Sequence, residues 1–519
     1  KRDLGLLTLQ EKVGQLFMFG FDALDVDSHA IELIKKHKVG NVILFARNVK
    51  TPEQLFKLNQ NLQKLAFEEI GIPLLISIDQ EGGMVTRIRN GGTFFPGAMT
   101  LTATNDSSNA YISGKLMGEE LISLGINMNL APVMDVNNNP YNPVIGVRSF
   151  GDDPKKVTEY GMKFVHGMQE NVIATVKHFP GHGDTKVDSH LALPKIDYPL
   201  EHMESVELYP FKKAIKEGIK AIMSSHINFP AFTENGLPTT LSKKCLTGLL
   251  REKLGFEGLI ITDGMQMKAI EHTYGTVKAS LMAIEAGVNL VCICHSRELQ
   301  VEAAEYVLKA VQNNELSEAI IDERLQRVLT YKKQLIVDLK KDYKDVKHIV
   351  ENDITKAFMY DVVKKGVTLA KGDNYELNDK TLLIASDPVP TSIADEDSGS
   401  YSILQSVSKH LPMIDTFEVG IKPTKEDYQN VGKILDKYDT IIFCSYNSNV
   451  HVEQIEFMTY LKDAKDLYVM SMRNPYDLFF LPSLENVVNF YEYTPNSIKA
   501  LISYLKGYLI PRGVLPIEL

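Results

Sequence analysis

The amino-acid sequence predicts an α/β protein. A (β/α)8 TIM-like barrel is expected over residues 1–340, a helical connector over 341–365, and a smaller α/β layered domain (an αβα sandwich) over 366–519. Three observations predict this. Roughly eight short apolar runs alternate with longer amphipathic ones before residue 340, which is what a barrel requires. Polar residues cluster at the carboxyl-terminal ends of those runs. Beyond the charged stretch at 339–351 a second, shorter alternation begins. A chain of 519 residues is also too long for one core.

The strand candidates, in order, are 17–21, 41–45, 74–79, 127–131, 172–178, 221–226, 259–263 and 290–294, each a short apolar run bounded by turn residues. Helices are expected between them at 52–69, 108–124, 154–171, 201–217, 242–254 and 276–286. Thr51-Pro52 and Asp153-Pro154 read as N-cap and first-turn pairs. Gly125, Gly218, Gly255 and Gly287 stand where helices should end. One or two long helices fill 298–336. The second alternation has strands at 381–386, 440–445, 467–472 and 487–491, with helices at 454–465 and 496–506. The Asp/Ser/Gly-rich segment 394–402 reads as an exposed loop. The competing fold is an open doubly wound sheet. Asp79, Lys177, His178, His226 and Asp263 each end a candidate strand, and only a barrel brings such ends together on one face.

Net charge is −10 with no Lys/Arg-rich run, which argues against a nucleic-acid partner. No apolar stretch is long enough to span a bilayer. Four cysteines are too few for a disulfide framework. Cys292 and Cys294 would share one face of a strand and read as small core hydrophobes rather than metal or redox ligands. The sequence begins at Lys1 rather than Met. That points to a removed leader and an exported, extracellular or wall-associated protein, with the cytoplasm as the alternative. Nothing in the sequence indicates an oligomeric state.

The chemistry concentrates in one Gly/Pro-punctuated segment. Lys177-His178-Phe179-Pro180-Gly181-His182-Gly183-Asp184 follows an apolar strand and leads to Asp188-Ser189-His190. On an extended loop the Asp188 carboxylate and the His190 imidazole, two residues apart, can project to the same side. The carboxylate can then orient the ring and stabilise its protonated form, as a general acid needs. Asp263, between Thr262 and Gly264 at a strand end, is the best-placed carboxylate for a nucleophile. His178, His182 and His190 lack the spacing of a helical zinc site, and Pro180-Gly181 forbids a continuous helix across the first pair, so no metal and no cofactor is expected.

These segments, with Asp79-Gln80-Glu81-Gly82-Gly83, Arg87, Gly146-Val147-Arg148-Ser149-Phe150-Gly151 and Thr262-Asp263-Gly264-Met265, closely resemble the signature of glycoside hydrolase family 3, in its β-N-acetylglucosaminidase branch. The resemblance runs from about residue 10 to 336. Gly507-Tyr508-Leu509-Ile510-Pro511-Arg512-Gly513-Val514-Leu515-Pro516 is similar to the closing segment of two-domain members. Met84 departs from the Arg that many members carry after Gly-Gly. The resemblance implies a retaining enzyme that removes non-reducing terminal β-linked GlcNAc, with muropeptides from peptidoglycan as substrates. It implies Asp263 as nucleophile and His190, oriented by Asp188, as acid/base. Asp79, Arg87, Arg148, Lys177 and His178 would bind the sugar. His226 would line the pocket or hold a loop, and Glu81 would be structural. Asp135 and residues 137–139 would lie behind the site or form a turn. The absence of tryptophan fits polar recognition of one terminal sugar better than stacking along a polymer. The alternatives are a family 3 β-glucosidase, which would typically take its acid/base Glu from the second domain, a GlcNAc phosphorylase, and an inactive sugar-binding wall protein.

Overall fold

The structure, a computed structural model, describes residues 4–186, 192–386 and 401–519. Eight parallel strands form the first sheet: β1 (Phe17–Phe19), β2 (Asn41–Leu44), β3 (Leu75–Ile78), β4 (Met128–Asn129), β5 (Ile173–Phe179), β6 (Ala221–Ser224), β7 (Leu259–Thr262) and β8 (Val291–Ile293). Their order is β7-β6-β5-β4-β3-β2-β1-β8. A parallel bridge between Ile261 and Leu290 brings the two ends of that order together and closes the ring. Every residue of these strands is buried, because one face packs the barrel interior and the other meets the helices. That double burial is why they read as short continuous apolar runs rather than alternating ones.

The helices begin and end where elementary chemistry places them. The Thr51 hydroxyl accepts from the Gln54 amide at 3.1 Å and starts helix Pro52–Glu69. The Asp153 carboxylate accepts from the Lys155 amide at 3.0 Å and starts Pro154–Met168. Gly125, Gly218, Gly255 and Gly287 all take positive φ at helix ends. The helix expected over 201–217 is two helices, Leu200–Ser205 and Leu208–Lys216. The break at Val206 leaves the helical ladder (φ −114°, ψ −76°) and sets Glu207, which is buried, against the turn at Gly181.

The second sheet has six strands in the order β11-β10-β12-β13-β14-β9. They are β9 (Thr368–Lys371), β10 (Thr381–Ala385), β11 (Asp415–Glu418), β12 (Thr440–Ser445), β13 (Asp466–Ser471) and β14 (Asn486–Asn489). All pairings are parallel except β9 with β14. Hydrophobic clusters cover both faces of this sheet. The stretch between the sheets ends in helix Asp353–Gly366, which is shared between them. Met359 and Val362 pack into the barrel's core and Val363 into that of the second sheet. Most of the Asp/Ser/Gly-rich segment 394–402 lies outside the described residues.

Helices Ser108–Ser123 and Pro154–Met168 meet backbone to backbone. A Cβ added at Gly114 would lie 2.2 Å from the Phe164 carbonyl oxygen, an atom that cannot swing away. Gly114→Ala is therefore expected to destabilise the protein by about 1–3 kcal/mol through overpacking. Gly248→Ala, in helix Lys244–Lys253 with open space around its Cβ, should be neutral or slightly stabilising. Urea unfolding of the two variants checks this; equal losses would contradict the close helix contact.

Candidate active site

The carboxyl-terminal ends of the barrel strands surround a cavity of about 480 Å³, where barrel enzymes keep their chemistry. Asp79, Lys177, His178 and Asp263 line it, as do Arg87 and Arg148. Asp79 follows β3, Lys177 and His178 lie on β5, and Asp263 follows β7. Arg148 sits in the long connection after β4.

A chain of alternating charges runs beneath this wall. Lys177 Nζ contacts Asp79 Oδ1 at 2.9 Å and Glu81 Oε2 at 2.8 Å. Arg148 grips Glu81 with two parallel bonds, Nε to Oε1 and Nη2 to Oε2, both 2.9 Å. Lys177, Glu81 and Arg148 are buried. Burial alone would push the Glu81 carboxyl up, but Arg148 and Lys177 outweigh it and hold Glu81 well below the usual carboxylate range. Burial opposes the charge on Lys177 too, yet Asp79 and Glu81 keep its pKa above the ordinary lysine value. Two cations balance two anions, so the group stays ionised out of water. Lys177 takes one oxygen of Asp79, and the second is available to an incoming hydroxyl.

A second buried carboxylate sets the imidazole. Asp135 is fully buried and accepts from the backbone amides of His178 (3.0 Å) and His182 (2.8 Å). It also meets His178 Nδ1 at 2.7 Å. Burial pushes Asp135 up, but His178 more than offsets it and leaves the carboxyl below its ordinary value. With a carboxylate on Nδ1, that nitrogen carries the proton and Nε2 is the atom left for a ligand.

Asp263 is held through its own peptide. Its Oδ1 accepts from the Gly264 amide at 2.8 Å, and the Gly264 carbonyl lies 2.9 Å from His226 Nε2. His226 is fully buried and is absent from the cavity wall; it also meets the Thr240 hydroxyl at 2.8 Å. Of the two roles open to it from sequence, the structure places it where it holds a loop. Cys292 and Cys294 do share a face, and both border the cavity. Burial pushes both thiols up, Cys294 to about 12, so they are protonated walls at neutral pH.

Several contributors escaped the sequence reading. Arg47, just after β2, lines the cavity and meets His295 Nδ1 at 2.6 Å. Both residues follow strands, so the strand-end rule that selected Asp79 and Asp263 applies to them equally. The second domain enters by bracing loops. The Asn474 side chain accepts from the Val147 amide at 2.9 Å beside Gly146 (φ +45°), where a Cβ would come within 2.0 Å of it. Asn449 donates to the Pro140 carbonyl at 3.0 Å. Asn142, in the loop so braced, donates to the carbonyls of His182 (2.8 Å) and Gly183 (2.9 Å). Met84 lies against the second domain's core and receives the Tyr493 amide at 3.1 Å on its sulfur. Asp188 and His190 lie outside the described residues (187–191), so the three-histidine set can be followed only for His178 and His182, whose rings stand 5.7 Å apart edge to face.

A closed parallel barrel whose rim presents a carboxylate across from a wall of balanced Asp, Lys, Arg and His side chains is the architecture of a glycoside hydrolase. The chain belongs to glycosyl hydrolase family 3: its residues 8–331 match the family's N-terminal domain. It is 37% identical over 327 residues to "Beta-hexosaminidase A" of Pseudoalteromonas piscicida, a match covering 59% of this chain and about half (55%) of that longer protein. It is 34% identical to "Beta-hexosaminidase" of Tolumonas auensis over 58% of this chain and 88% of the relative. The structure of a glycoside hydrolase family 3 beta-N-acetylglucosaminidase from Paenibacillus sp. superposes with a TM-score of 0.91 at 37% identity, covering 99% of both chains.

Glu81→Gln leaves Lys177 and Arg148 without their shared anion. It should cost about 3–5 kcal/mol at pH 7, the typical penalty for breaking a buried pair. The pH sign follows from the lowered carboxyl. The stability Glu81 contributes is present above its ordinary value of 4.5 and is lost as pH falls toward its folded value. The gap between wild type and Glu81→Gln should therefore narrow as pH drops below about 4.5. Urea titrations at pH 7 and pH 3.5 check this; a gap that widens in acid would contradict it.

Proposed function

We propose that the protein is a retaining exo-β-N-acetylglucosaminidase that releases non-reducing terminal β-linked GlcNAc, with muropeptides from peptidoglycan as its substrates. The observation that carries this reading is the cavity wall: Asp263 opens on a pocket fitted with Asp79, Arg87, Arg148, Lys177 and His178. The pocket has the size of a small-ligand site, within the usual ~300–1,000 Å³. The hexosaminidases and the N-acetylglucosaminidase that the chain resembles support the choice of sugar.

In the proposed reaction, one Asp263 carboxylate oxygen attacks the anomeric carbon while His190 gives its proton to the departing glycosidic oxygen. That bond breaks and a covalent glycosyl-aspartate forms. Asp188 holds the His190 ring and offsets its positive charge. His190, now neutral, takes a proton from water; the hydroxide oxygen attacks the anomeric carbon and Asp263 leaves. Two displacements return the original anomeric configuration. Asp79, Lys177 and the two arginines bind hydroxyls, and the ionised group beneath them holds their heads in place without reorganisation. Among the described residues, every side chain lining the cavity comes from the barrel, spanning Ile43 to His295. This favours an acid/base carried by the barrel over the second-domain Glu of a β-glucosidase.

Asp263→Asn should abolish turnover of all β-GlcNAc substrates. His190→Ala should lower turnover of natural disaccharides by about 10²–10⁴-fold and spare aryl glycosides, whose phenolate needs little protonation. Steady-state kinetics on chitobiose and on an aryl β-GlcNAc check both. Undiminished Asp263→Asn, or uniform losses in His190→Ala, would overturn the assignment. Faster turnover in phosphate than in inert buffer, with GlcNAc-1-phosphate as product, would replace the hydrolase with the phosphorylase.

A further inference from the structure

Outside the cavity, on the flank of the segment that carries Asp188 and His190, a second group of polar side chains converges. Asp184 precedes that segment and His202 and Glu207 follow it. One ligand-type atom from each lies within 4.8 Å of the others. Glu207 is only 4% exposed, and neither of its carboxylate oxygens has a hydrogen-bond partner among the described residues. His202 Nε2 is unsatisfied as well. The two stand 3.4 Å apart, Nε2 to Oε1. That separation is long for a charge-assisted hydrogen bond, which runs about 2.7–2.9 Å. It suits two ligands on one edge of a tetrahedral ion with bonds of about 2.0–2.2 Å.

A buried carboxylate left without donors is costly and calls for an explanation. Burial pushes Glu207 up by more than the neighbouring His202 offsets. Its position is built. The glycine at 181 (φ +145°) lets the Glu207 side chain pack closely, since a Cβ there would come within 2.9 Å of Glu207 Cβ. The remaining two side chains are oriented by neighbours. Asp184 accepts from Asn139 Nδ2 at 3.2 Å and from the Tyr198 hydroxyl. The His202 ring lies against the Tyr198 ring with centroids 4.2 Å apart. Ligands held by outer hydrogen bonds and packing are the usual arrangement around a bound metal.

We propose that Asp184, His202 and Glu207 form a binding site for a divalent cation of the zinc type, which fastens together the two ends of the segment bearing Asp188 and His190. One imidazole and two carboxylates are borderline ligands suited to zinc, with a fourth position left for water. Asp184 and His202 are partly exposed, so an ion can enter from solvent. The ion sits outside the reaction cavity and takes no part in bond breaking.

The test uses the full chain stripped with a chelator and then titrated with Zn²⁺ by calorimetry, with bound metal counted by elemental analysis. One zinc per chain is expected, with a raised melting temperature and slower proteolysis between residues 185 and 201. His202→Ala and Glu207→Gln should each abolish binding, and His190→Ala should retain it. Glu207→Gln keeps the size of the side chain and removes a charge that burial disfavours, so a stable fold is expected, and His202 is exposed enough for truncation. No zinc retained, binding unchanged in both flank variants, or binding lost in His190→Ala but kept in His202→Ala would each overturn the site. Zinc retention is read without substrate, so the result is independent of which sugar the barrel cleaves.

Discussion

Everything on the sugar-facing wall depends on Glu81 staying charged while buried. Its two oxygens are shared between Arg148 and Lys177, and Lys177 passes the connection on to Asp79. None of these groups would be stable alone at this depth, since taking one ion out of water costs roughly several kcal/mol that only close partners offset. The set is therefore cooperative. It links the end of β3, the end of β5 and the long loop after β4 into one unit. Such a network contributes less to net stability than to fixing geometry, and fixed geometry is what a polar sugar site needs. Donors and acceptors that are already oriented lose little when a substrate arrives.

Among the described residues, the second domain extends the same logic without entering the cavity. Its contribution is to brace the connection after β4. Asn474 caps the Val147 amide next to Arg148, and Asn449 holds the carbonyl of Pro140. The carboxyl-terminal segment returns to the barrel, where Val514 donates to the Ala103 carbonyl at 2.8 Å and Ile517 packs with Met99 and Val147. Asn142 then ties this braced loop to His182 and Gly183. A route of direct contacts thus leads from the second domain to the root of the segment that bears Asp188 and His190. The position of Met84 belongs to this interface: an apolar side chain with a soft acceptor sulfur suits a packed seam against Tyr493 better than a cation would.

The barrel was legible in the sequence because its strands are buried on both faces and several of its helices start at a capping residue or end at a glycine. The ends of all eight strands fall within one or two residues of where apolar runs place them. β9 and β11 were not legible, for a physical reason. They are the two edge strands of the second sheet and are partly exposed, so Thr368–Lys371 and Asp415–Glu418 carry mixed polar residues and no apolar run. At the site, residues at strand ends could be found by position alone. The sequence leaves Asp135 between a place behind the site and a turn, because its importance lies in three donors from 43 and 47 residues away that only the fold brings to it. The split at Val206 was hidden for the same reason: the helical pattern continues through it, while the packing of Glu207 against Gly181 is a tertiary fact.

In the proposed mechanism an imidazole carried by the barrel's own chain suits this site better than a carboxylic acid brought by the second domain. The second-domain carboxyls nearest the seam are already committed. Glu492 accepts from the Gly97 amide and the Thr100 hydroxyl, and Asp477 accepts from Ser445 and Ser448. Burial raises both, and neither lines the cavity. Freeing either to serve as an acid would break these buried hydrogen bonds. A His supplied by the barrel's chain, as proposed, avoids that conflict. It arrives with its own carboxylate two residues away, and its unperturbed pKa lies near neutrality, where it can both give and take a proton. In that mechanism the charges of the wall bind, and the group that must change protonation is not one of them.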